Sequence, residues 1–263
     1  MICVIIVVSD VHVGYDKCNY DEFNHFLGKC NTSDIEHLVL LGDIFDFWRV
    51  RNTDVAMNDK WVDFFEILGN LKAKNIHYVV GNHDYSLYGL NERYADNQNH
   101  IVYPFPISKF LRLQEGNTNF FFIHGYELEV LLWSFGGINN YEKLSELMCS
   151  RGDKKVRGIE SRMWEILKDT EWTIEKVRKP PQDRDNSRVD DLAKSKGVHL
   201  LLGMRPDEKL VFGHTHRPFN YNDKVINTGS WVSDIPPNTP QNTYVKIADG
   251  RIELKTFDES QEL

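Results

Sequence analysis

The chain is predicted to fold as an α/β protein in which helices flank a mixed β-sheet. In the first third, apolar runs of strand length alternate with helical apolar stripes. Near the end, strand-like runs follow one another without helices, which favours antiparallel pairing. Five apolar runs stop at clusters of Asp, Asn or His with Gly nearby: VVSDVH, LLGDIFD, VVGNHD, FFIHG and LVFGHTH. Because the carboxyl ends of strands in an open α/β sheet converge on one crevice, we expect these endings to share a site.

Length, charge and cysteine content narrow the class of protein. At 263 residues the chain is long enough for a single domain, 1–263, with a large core and an insertion. Its net charge of -8 argues against a nucleic-acid coat or a strongly cationic membrane binder, since affinity for phosphate backbones comes from clustered Lys and Arg. Four cysteines without close pairing predict reduced thiols and a cytoplasmic protein. The apolar start lacks a basic region, and no run approaches the roughly 20 residues of a membrane span.

The first half of the chain is predicted to alternate between strands and helices. Strands are expected at Ile2–Val8, Ile35–Leu41 and Ile76–Val80, which implies right-handed crossovers and a partly parallel sheet. Two helices lie between them, with inward-facing residues Phe23, Phe26, Leu27 and Cys30 in the first and Trp61, Phe64, Phe65, Leu68 and Leu71 in the second. From Asp84 to Pro106 the chain is expected to form loops and a short edge.

After a strand at Asn119–Ile123, residues from about 127 to about 204 lack the Asp and His endings. Helices are predicted there at 140–149, 158–177 and 187–196, with Gly197 as the stop of the last. We interpret this stretch as a helical insertion that caps the site. A small excess of Lys and Arg in 149–200 suits an anionic substrate, but it equally suits ordinary solvated helix faces. The remaining strands are expected at Lys209–Phe212, Lys224–Ile226, Thr243–Ile247 and Ile252–Phe257.

Each Asp or His ending by itself is explained by turn chemistry, such as an Asp that caps a helix. Asp10 and His12 are two apart, so on extended backbone they point to the same side and can reach one ion. Gly42 allows close approach of the backbone while Asp43 points into the crevice. Five such endings, on five separate strands, are hard to explain as turns and indicate a shared polar site.

The ordered blocks DVH, GDIFD, GNHD, HG and GHTH resemble the signature of the calcineurin-like metallophosphoesterases. The resemblance covers Asp10 to His216 except for the insertion. It implies a four-layer sandwich of mixed sheets and helices, and an enzyme that hydrolyses phosphoester or pyrophosphate bonds with two divalent metal ions. The implied ligands are Asp10, His12 and His216 for the first ion, Asn82, His124 and His214 for the second, and Asp43 as the bridge. The resemblance also implies that His83 acts near the leaving-group oxygen, that Asp46 orients His83 and that Asp84 supports them.

The chemistry of this donor set agrees with the resemblance. Mixed nitrogen and oxygen donors without thiolate suit Mn, which we expect, or Fe or Zn, better than Ca or a structural Zn site. Two ions about 3.5–4 Å apart can share a hydroxide that attacks the phosphorus in line. Two carboxylates against two divalent ions leave excess positive charge, which attracts phosphate.

The sequence leaves the substrate open. The block LGDIFDFW, the length and the insertion are similar to the UDP-2,3-diacylglucosamine pyrophosphatase branch, which hydrolyses a lipid A precursor, although that branch commonly has Arg where this chain has His83. The insertion's large apolar residues either line an acyl-chain groove, which would bring peripheral membrane contact, or form its own small core; they are Trp133, Phe135, Met148, Trp164 and Trp172.

Two other functions are compatible with these motifs. The first is a nuclease or nucleotide phosphodiesterase of the same fold, although the acidic chain has no track of interleaved basic and aromatic residues for a long polynucleotide. The second is a metal-free scaffold for protein contacts, which the completely filled ligand set argues against. We therefore expect a small or lipid-linked anionic phosphoester or pyrophosphate as the substrate, and the oligomeric state is left open.

Overall fold

The computed structural model describes residues 3–32, 34–50, 59–89, 105–133, 137–151 and 187–260. In chain order the strands are β1 (Val4–Val8), β2 (Ile35–Leu41), β3 (Asn75–Val79), β4 (Ile107–Ser108), β5 (Phe110–Glu115), β6 (Thr118–Ile123), β7 (Glu208–Phe212), β8 (Phe219–Tyr221), β9 (Val225–Asn227), β10 (Thr243–Ala248) and β11 (Arg251–Thr256). The helices are α1 (Tyr20–Cys30), α2 (Asp59–Asn70), α3 (Tyr126–Trp133), α4 (Ile138–Arg151), α5 (Ser187–Ala193) and α6 (Lys196–Leu201).

The described strands form two mixed sheets. The first has the order β11-β10-β1-β2-β3-β4, with parallel pairing from β1 to β4 and antiparallel pairing at β10 and β11. The second has the order β5-β6-β7-β9-β8, parallel from β6 through β7 to β9 and antiparallel at both edges. The predicted α/β class with mixed sheets is therefore confirmed.

The two sheets pack face to face, and helices cover their outer faces. In β1, Ile5 and Val7 point into the layer between the sheets, while Ile6 and Val8 point to the outer layer. The inner layer also contains Phe120 of β6 from the second sheet. Helices α1, α2 and α4 contribute to the outer layer of the first sheet, α5 and α6 contribute to that of the second, and α3 contributes to both. Burial on both faces explains why β1 and the second half of β2, Leu38 to Leu41, are continuously apolar.

Several predicted elements agree closely with the structure. Helix α1 lies between the first two strands as predicted and buries the predicted residues Phe23, Phe26, Leu27 and Cys30. The predicted strands are all present, with ends that differ by one or two residues. No helix within the described ranges combines the length and apolar character needed to cross a bilayer.

Other predictions were wrong. Phe65 was expected in the core, but 37% of it is exposed. It lies at the edge of the core, where its ring stacks on Phe45 with the ring centroids 5.0 Å apart. The helix predicted at 187–196 ends at Ala193, where the His199 ring bonds the Ala193 carbonyl at 2.7 Å. This contact satisfies a carbonyl at the helix end, and the chain then starts α6, so that Gly197 lies inside a helix instead of stopping one.

Antiparallel pairing was expected for the closely spaced strands near the end of the chain; β9 pairs antiparallel with β8 and also in parallel with β7. Strands β4, β5 and β8 and the helix α3 were not predicted. Met148, one of the proposed groove residues, packs against the outer layer of the first sheet. The predictions for the helix at 158–177, for Phe135, Trp164 and Trp172, and for the side chains of Trp61 and Trp133 lie outside the described residues.

Candidate metal centre

The nine predicted site residues come from the carboxyl ends of five strands in both sheets, and all of them are buried. The first sheet supplies six of them: Asp10 and His12 after β1, Asp43 and Asp46 after β2, and Asn82 and His83 after β3. The second supplies His124 after β6 and His214 and His216 after β7. The shared crevice was predicted for one sheet, whereas it lies where the same ends of two stacked sheets meet.

Five of these residues have a left-handed backbone conformation. Their φ angles lie between 53° and 67°, and the residues are Asp10, His12, Asp43, His214 and His216. This region is uncommon for residues other than Gly, and costs of order 1–3 kcal/mol each are typical. Backbone hydrogen bonds between the loops hold the conformation, including Asp10 N to Gly42 O at 3.0 Å and His12 N to Asp43 O at 2.9 Å. Such strain concentrates at functional sites.

Glycines allow the loops to approach one another closely. A Cβ at Gly42 would lie 2.5 Å from His124 Nδ1, and Gly42 itself has φ +80°. A Cβ at Gly81 would overlap the Asp43 carboxylate, and one at Gly213 would overlap Asp10 Oδ2. The Gly that directly precedes Asp43, Asn82 or His214 in three of the motifs therefore makes room for a proposed ligand from another loop.

The donor atoms form two triads, and within each triad they lie within 4.8 Å of one another; Asp43 of the second triad also approaches His12 of the first. One triad is Asp10, His12 and His216, and the other is Asp43, His124 and His214. His216 Nε2 is 3.4 Å from Asp10 Oδ1, and His124 Nε2 is 3.2 Å from Asp43 Oδ2. His12 Nε2 lies 4.0 Å from Asp10 Oδ1 and 3.8 Å from Asp43 Oδ2. Donors at about 2.1 Å from a common ion are about 3.0–4.2 Å apart, so these spacings fit shared ions.

Buried donor atoms without hydrogen bonds give a second test of whether ions fit. Four proposed ligand atoms in the described residues are buried and make no hydrogen bond: Asp10 Oδ1, His12 Nε2, Asn82 Oδ1 and His124 Nε2. Burying a polar atom without a partner is costly, so such atoms are rare in folded proteins. Four such atoms in one site are expected if each of them binds a cation instead of a hydrogen-bond donor or acceptor.

A match to a known family identifies the protein class. The family model described as "calcineurin-like phosphoesterase" matches residues 3–218. The chain belongs to this family. It is thus a phosphoester hydrolase of a metal-dependent family. The search of curated proteins gave no match.

Several solved structures resemble the chain over nearly its whole length at low identity. A dimetal phosphatase from Danio rerio has 14% identity and a TM-score of 0.50, with 99% of this chain and 98% of that chain covered. A predicted phosphoesterase from Streptococcus pneumoniae has 16% identity and a TM-score of 0.38, with coverage of 100% and 93%. An archaeal phosphodiesterase has 15% identity and a TM-score of 0.41, with coverage of 97% and 99%. At these identities the likeness concerns the fold alone.

Beside the two triads of this calcineurin-like phosphoesterase lies a hydrogen-bonded pair formed by His83 and Asp46. His83 Nδ1 is 2.9 Å from Asp46 Oδ1, while Asp46 Oδ2 is 3.0 Å from His12 Nδ1 and also contacts Arg49. The indole of Trp48 stacks on the His83 ring with centroids 4.2 Å apart. Donor atoms of His12, Asp43 and His83 also lie within 4.8 Å of one another, so the geometry allows His83 to be a ligand as well.

The ionisation of these groups follows from burial and from their neighbours. Burial by itself would raise the pKa of Asp43, but the His124, His83 and His12 rings together hold it well below its usual value. Burial lowers the pKa of His83 to about 4, although Asp46 and Asp43 oppose the change. Burial also disfavours charge on His124, yet the Asp43 and Asp10 carboxylates raise its pKa to about 10. A divalent cation among these groups would replace that proton.

Supporting groups join the loops that carry the proposed ligands. Asp84 accepts hydrogen bonds from the Tyr78 hydroxyl at 2.6 Å and from the Gly81 and Ile44 backbones at 2.7 and 2.9 Å, which joins two of the site loops. Its pKa is raised to about 6, chiefly by burial. Glu129, which sequence reasoning missed, lies 2.9 Å from His214. No motif marks it, because its role depends on contact between α3 and a loop 85 residues further along the chain.

Proposed function

We propose that the protein is a dinuclear metal-dependent hydrolase of small or lipid-linked phosphoesters or pyrophosphates. The observation that carries this proposal is the pair of buried donor triads at Asp43, with four donor atoms that make no hydrogen bond. One ion would be held by Asp10, His12 and His216, and the other ion would be held by Asn82, His124 and His214. Both ions would share Asp43. When bound, two such ions supply a nucleophile from water at neutral pH and offset the charge of the phosphoryl group. Nitrogen and oxygen donors without thiolate favour manganese, or else iron or zinc.

His83 is proposed to protonate the leaving-group oxygen. Because the Asp46 carboxylate only accepts hydrogen bonds, the proton on neutral His83 lies on Nδ1, which leaves Nε2 available to the substrate. Burial keeps the ring neutral before the substrate binds. A phosphate anion beside Nε2 favours the protonated ring. His83 would thus take up a proton with the substrate and donate it as the ester bond breaks.

The surroundings of His83 favour a substrate with a second anionic group. Arg49 contacts Asp46 and its guanidinium lies 4.1 Å from the centroid of the Tyr15 ring, while 28% of its side chain is exposed. Tyr15 in turn donates a hydrogen bond to Asp234 at 2.5 Å. A fixed, partly exposed cation next to the proposed acid suits a pyrophosphate, which has a second phosphate, better than a simple monoester.

The segment 127–204 is proposed as a cap. Both of its described arms contact site loops: Cys149 of α4 lies with its Sγ 3.1 Å from the His83 carbonyl, and Asp190 of α5 accepts a hydrogen bond from Thr215 at 2.7 Å. Thr215 stands between the proposed ligands His214 and His216. The cysteines Cys3, Cys18, Cys30 and Cys149 are free thiols, which fits a reducing cytoplasmic compartment.

Metal analysis and a substrate screen test the proposal. We expect about two Mn²⁺ per chain and turnover of pyrophosphates or diesters in a manganese-supplemented assay. His83→Asn should keep both ions and lose about 10²–10⁴-fold in rate on substrates with poor leaving groups, with much smaller losses on activated aryl esters. Asp43→Asn should lose the ions. Absence of bound metal and of turnover in the wild type would favour the scaffold alternative, and turnover of monoesters alone would remove the lipid-precursor substrate.

A further inference from the structure

The contact between Glu129 and His214 points to a further functional residue. Glu129 Oε2 lies 2.9 Å from His214 Nε2, and only 12% and 6% of the two side chains are exposed. We propose that Glu129 is a positioning residue that fixes the orientation and tautomer of His214 for the second ion. This inference rests on the proposed function, and it adds a residue that lies outside every sequence motif of the site.

The fold holds Glu129 rigidly against the loop after β7. Helix α3 starts at Tyr126, two residues after His124, so Glu129 lies in its first turn, where a negative charge is favourable. The loops themselves approach closely, because a Cβ at Gly125 would lie 3.0 Å from His214 Cβ. The His214 backbone is held as well, since its N–H donates to Asp10 Oδ2 at 2.8 Å. The backbone of His214 is thus held by Asp10 and its ring by Glu129.

The carboxylate decides which nitrogen of His214 carries the proton. An ionised carboxylate only accepts hydrogen bonds, so the proton lies on Nε2 and the lone pair on Nδ1 is available for a cation. His214 belongs to the triad with Asp43 and His124, which is the proposed second site. Without Glu129, the proton is free to move to Nδ1, and that tautomer does not bind a metal through Nδ1.

In each proposed site, a carboxylate contacts the ring of a proposed histidine ligand. His12 Nδ1 of the first site contacts the Asp46 carboxylate at 3.0 Å, and His214 Nε2 of the second contacts Glu129. His124, the other histidine of the second site, has a neutral partner, because its Nδ1 lies 3.0 Å from the Leu41 carbonyl. A carboxylate partner raises the basicity of a ligand His more than a carbonyl does, so Glu129 should matter most for the affinity of the second ion.

Metal binding without substrate tests the proposal. We would compare Glu129→Gln and Glu129→Leu with the wild type in the full chain, by calorimetric titration with Mn²⁺ and by the electron paramagnetic resonance signal of coupled manganese. One of the two ions should bind about 10–100-fold more weakly in Glu129→Leu, with the other unchanged. Glu129→Gln should fall between Glu129→Leu and the wild type, because its amide oxygen still accepts from Nε2. The coupled signal should be lost at manganese concentrations that saturate the wild type.

Glu142→Gln is the matched control. It removes another buried carboxylate, whose partners are Lys109 at 2.7 Å and Tyr126 at 3.2 Å and not a proposed ligand, so two ions should bind as in the wild type. Wild-type affinity in both Glu129 variants would overturn the proposal, and so would equal weakening of both ions or the same loss in Glu142→Gln. If the wild type itself binds fewer than two ions, the proposed function fails, which the wild-type titration alone shows. Glu129→Gln keeps the test valid if Glu129→Leu does not fold.

Discussion

Replacing Gly81 by Ala tests the close approach that positions the proposed bridging ligand. Gly81 follows β3, and a Cβ there would lie 2.5 Å from the Asp43 backbone nitrogen and would overlap the Asp43 carboxylate. Ordinary contact begins at 3.4 Å, so one of the two loops must move by about 1 Å, a displacement that can cost about 10²-fold in rate at an active site. The added methyl group should also destabilise the fold by about 1–3 kcal/mol, as overpacking does.

We would measure turnover, Mn²⁺ binding and thermal unfolding of Gly81→Ala beside Gly28→Ala. Gly28 lies in α1 with nothing within 4 Å of an added Cβ, so its replacement should keep the activity and stabilise the protein by up to about 1 kcal/mol. Each kcal/mol corresponds to about 2–4 °C in melting temperature for a chain of this size. Activity and Mn²⁺ affinity of Gly81→Ala within threefold of the wild type would refute the reasoning, because the Asp43 loop would then adapt without consequence.

Three further variants examine groups around the site and the sheets. Burial raises the pKa of Asp190 to about 6, so the free energy of unfolding of the wild type falls as the pH rises from about 4 to 6. In urea unfolding, the stability of Asp190→Asn relative to the wild type should therefore increase by up to about 3 kcal/mol between pH 4 and pH 7.5. A stability difference that does not change with pH would contradict this. Burial, with a contribution from His37, lowers the pKa of His77 to about 4, so the folded state resists protonation and its stability falls as the pH drops from about 6.5 towards 4. His77→Gln should lose less stability over this pH range in thermal unfolding. Curves of melting temperature against pH that run parallel for the variant and the wild type would contradict this. Trp48→Ala removes the ring stacked on His83 and should lower the free energy of unfolding by about 3–5 kcal/mol. It should also slow the turnover of substrates with poor leaving groups while both ions remain bound, whereas Trp48→Phe should restore much of the rate. Equal rates in the two variants would rule out a role for stacking.

The local pattern of the sequence was sufficient to predict most elements and to predict which polar strand ends meet at the candidate site. Helix α1 buries the four predicted residues because an apolar stripe with helical spacing has one way to face a core. The five strand ends were recognisable since each apolar run stops at polar residues within a few positions. The ordered motifs then indicated the family, which the match over residues 3–218 confirms. The roles of the individual site residues stay predictions.

The sequence did not predict which distant segments contact one another. Nothing in the run around Lys224 to Ile226 distinguishes an antiparallel neighbour from the parallel pairing that β9 makes with β7. Phe65 fits the apolar stripe of its helix, but how far each residue of that stripe is buried depends on the surface against which the helix packs. Glu129 carries no motif at all.

The sequence by itself determined which residues end each strand, and so which donors were available, because secondary structure and side-chain direction follow from periods of two and 3.6 residues. Only the tertiary structure decided that two stacked sheets bring those ends together, that five site residues adopt left-handed backbones and that Glu129 meets His214. The physical reason is that these features depend on the packing of whole layers and on hydrogen bonds across more than 80 residues of chain, where no local preference distinguishes one partner from another.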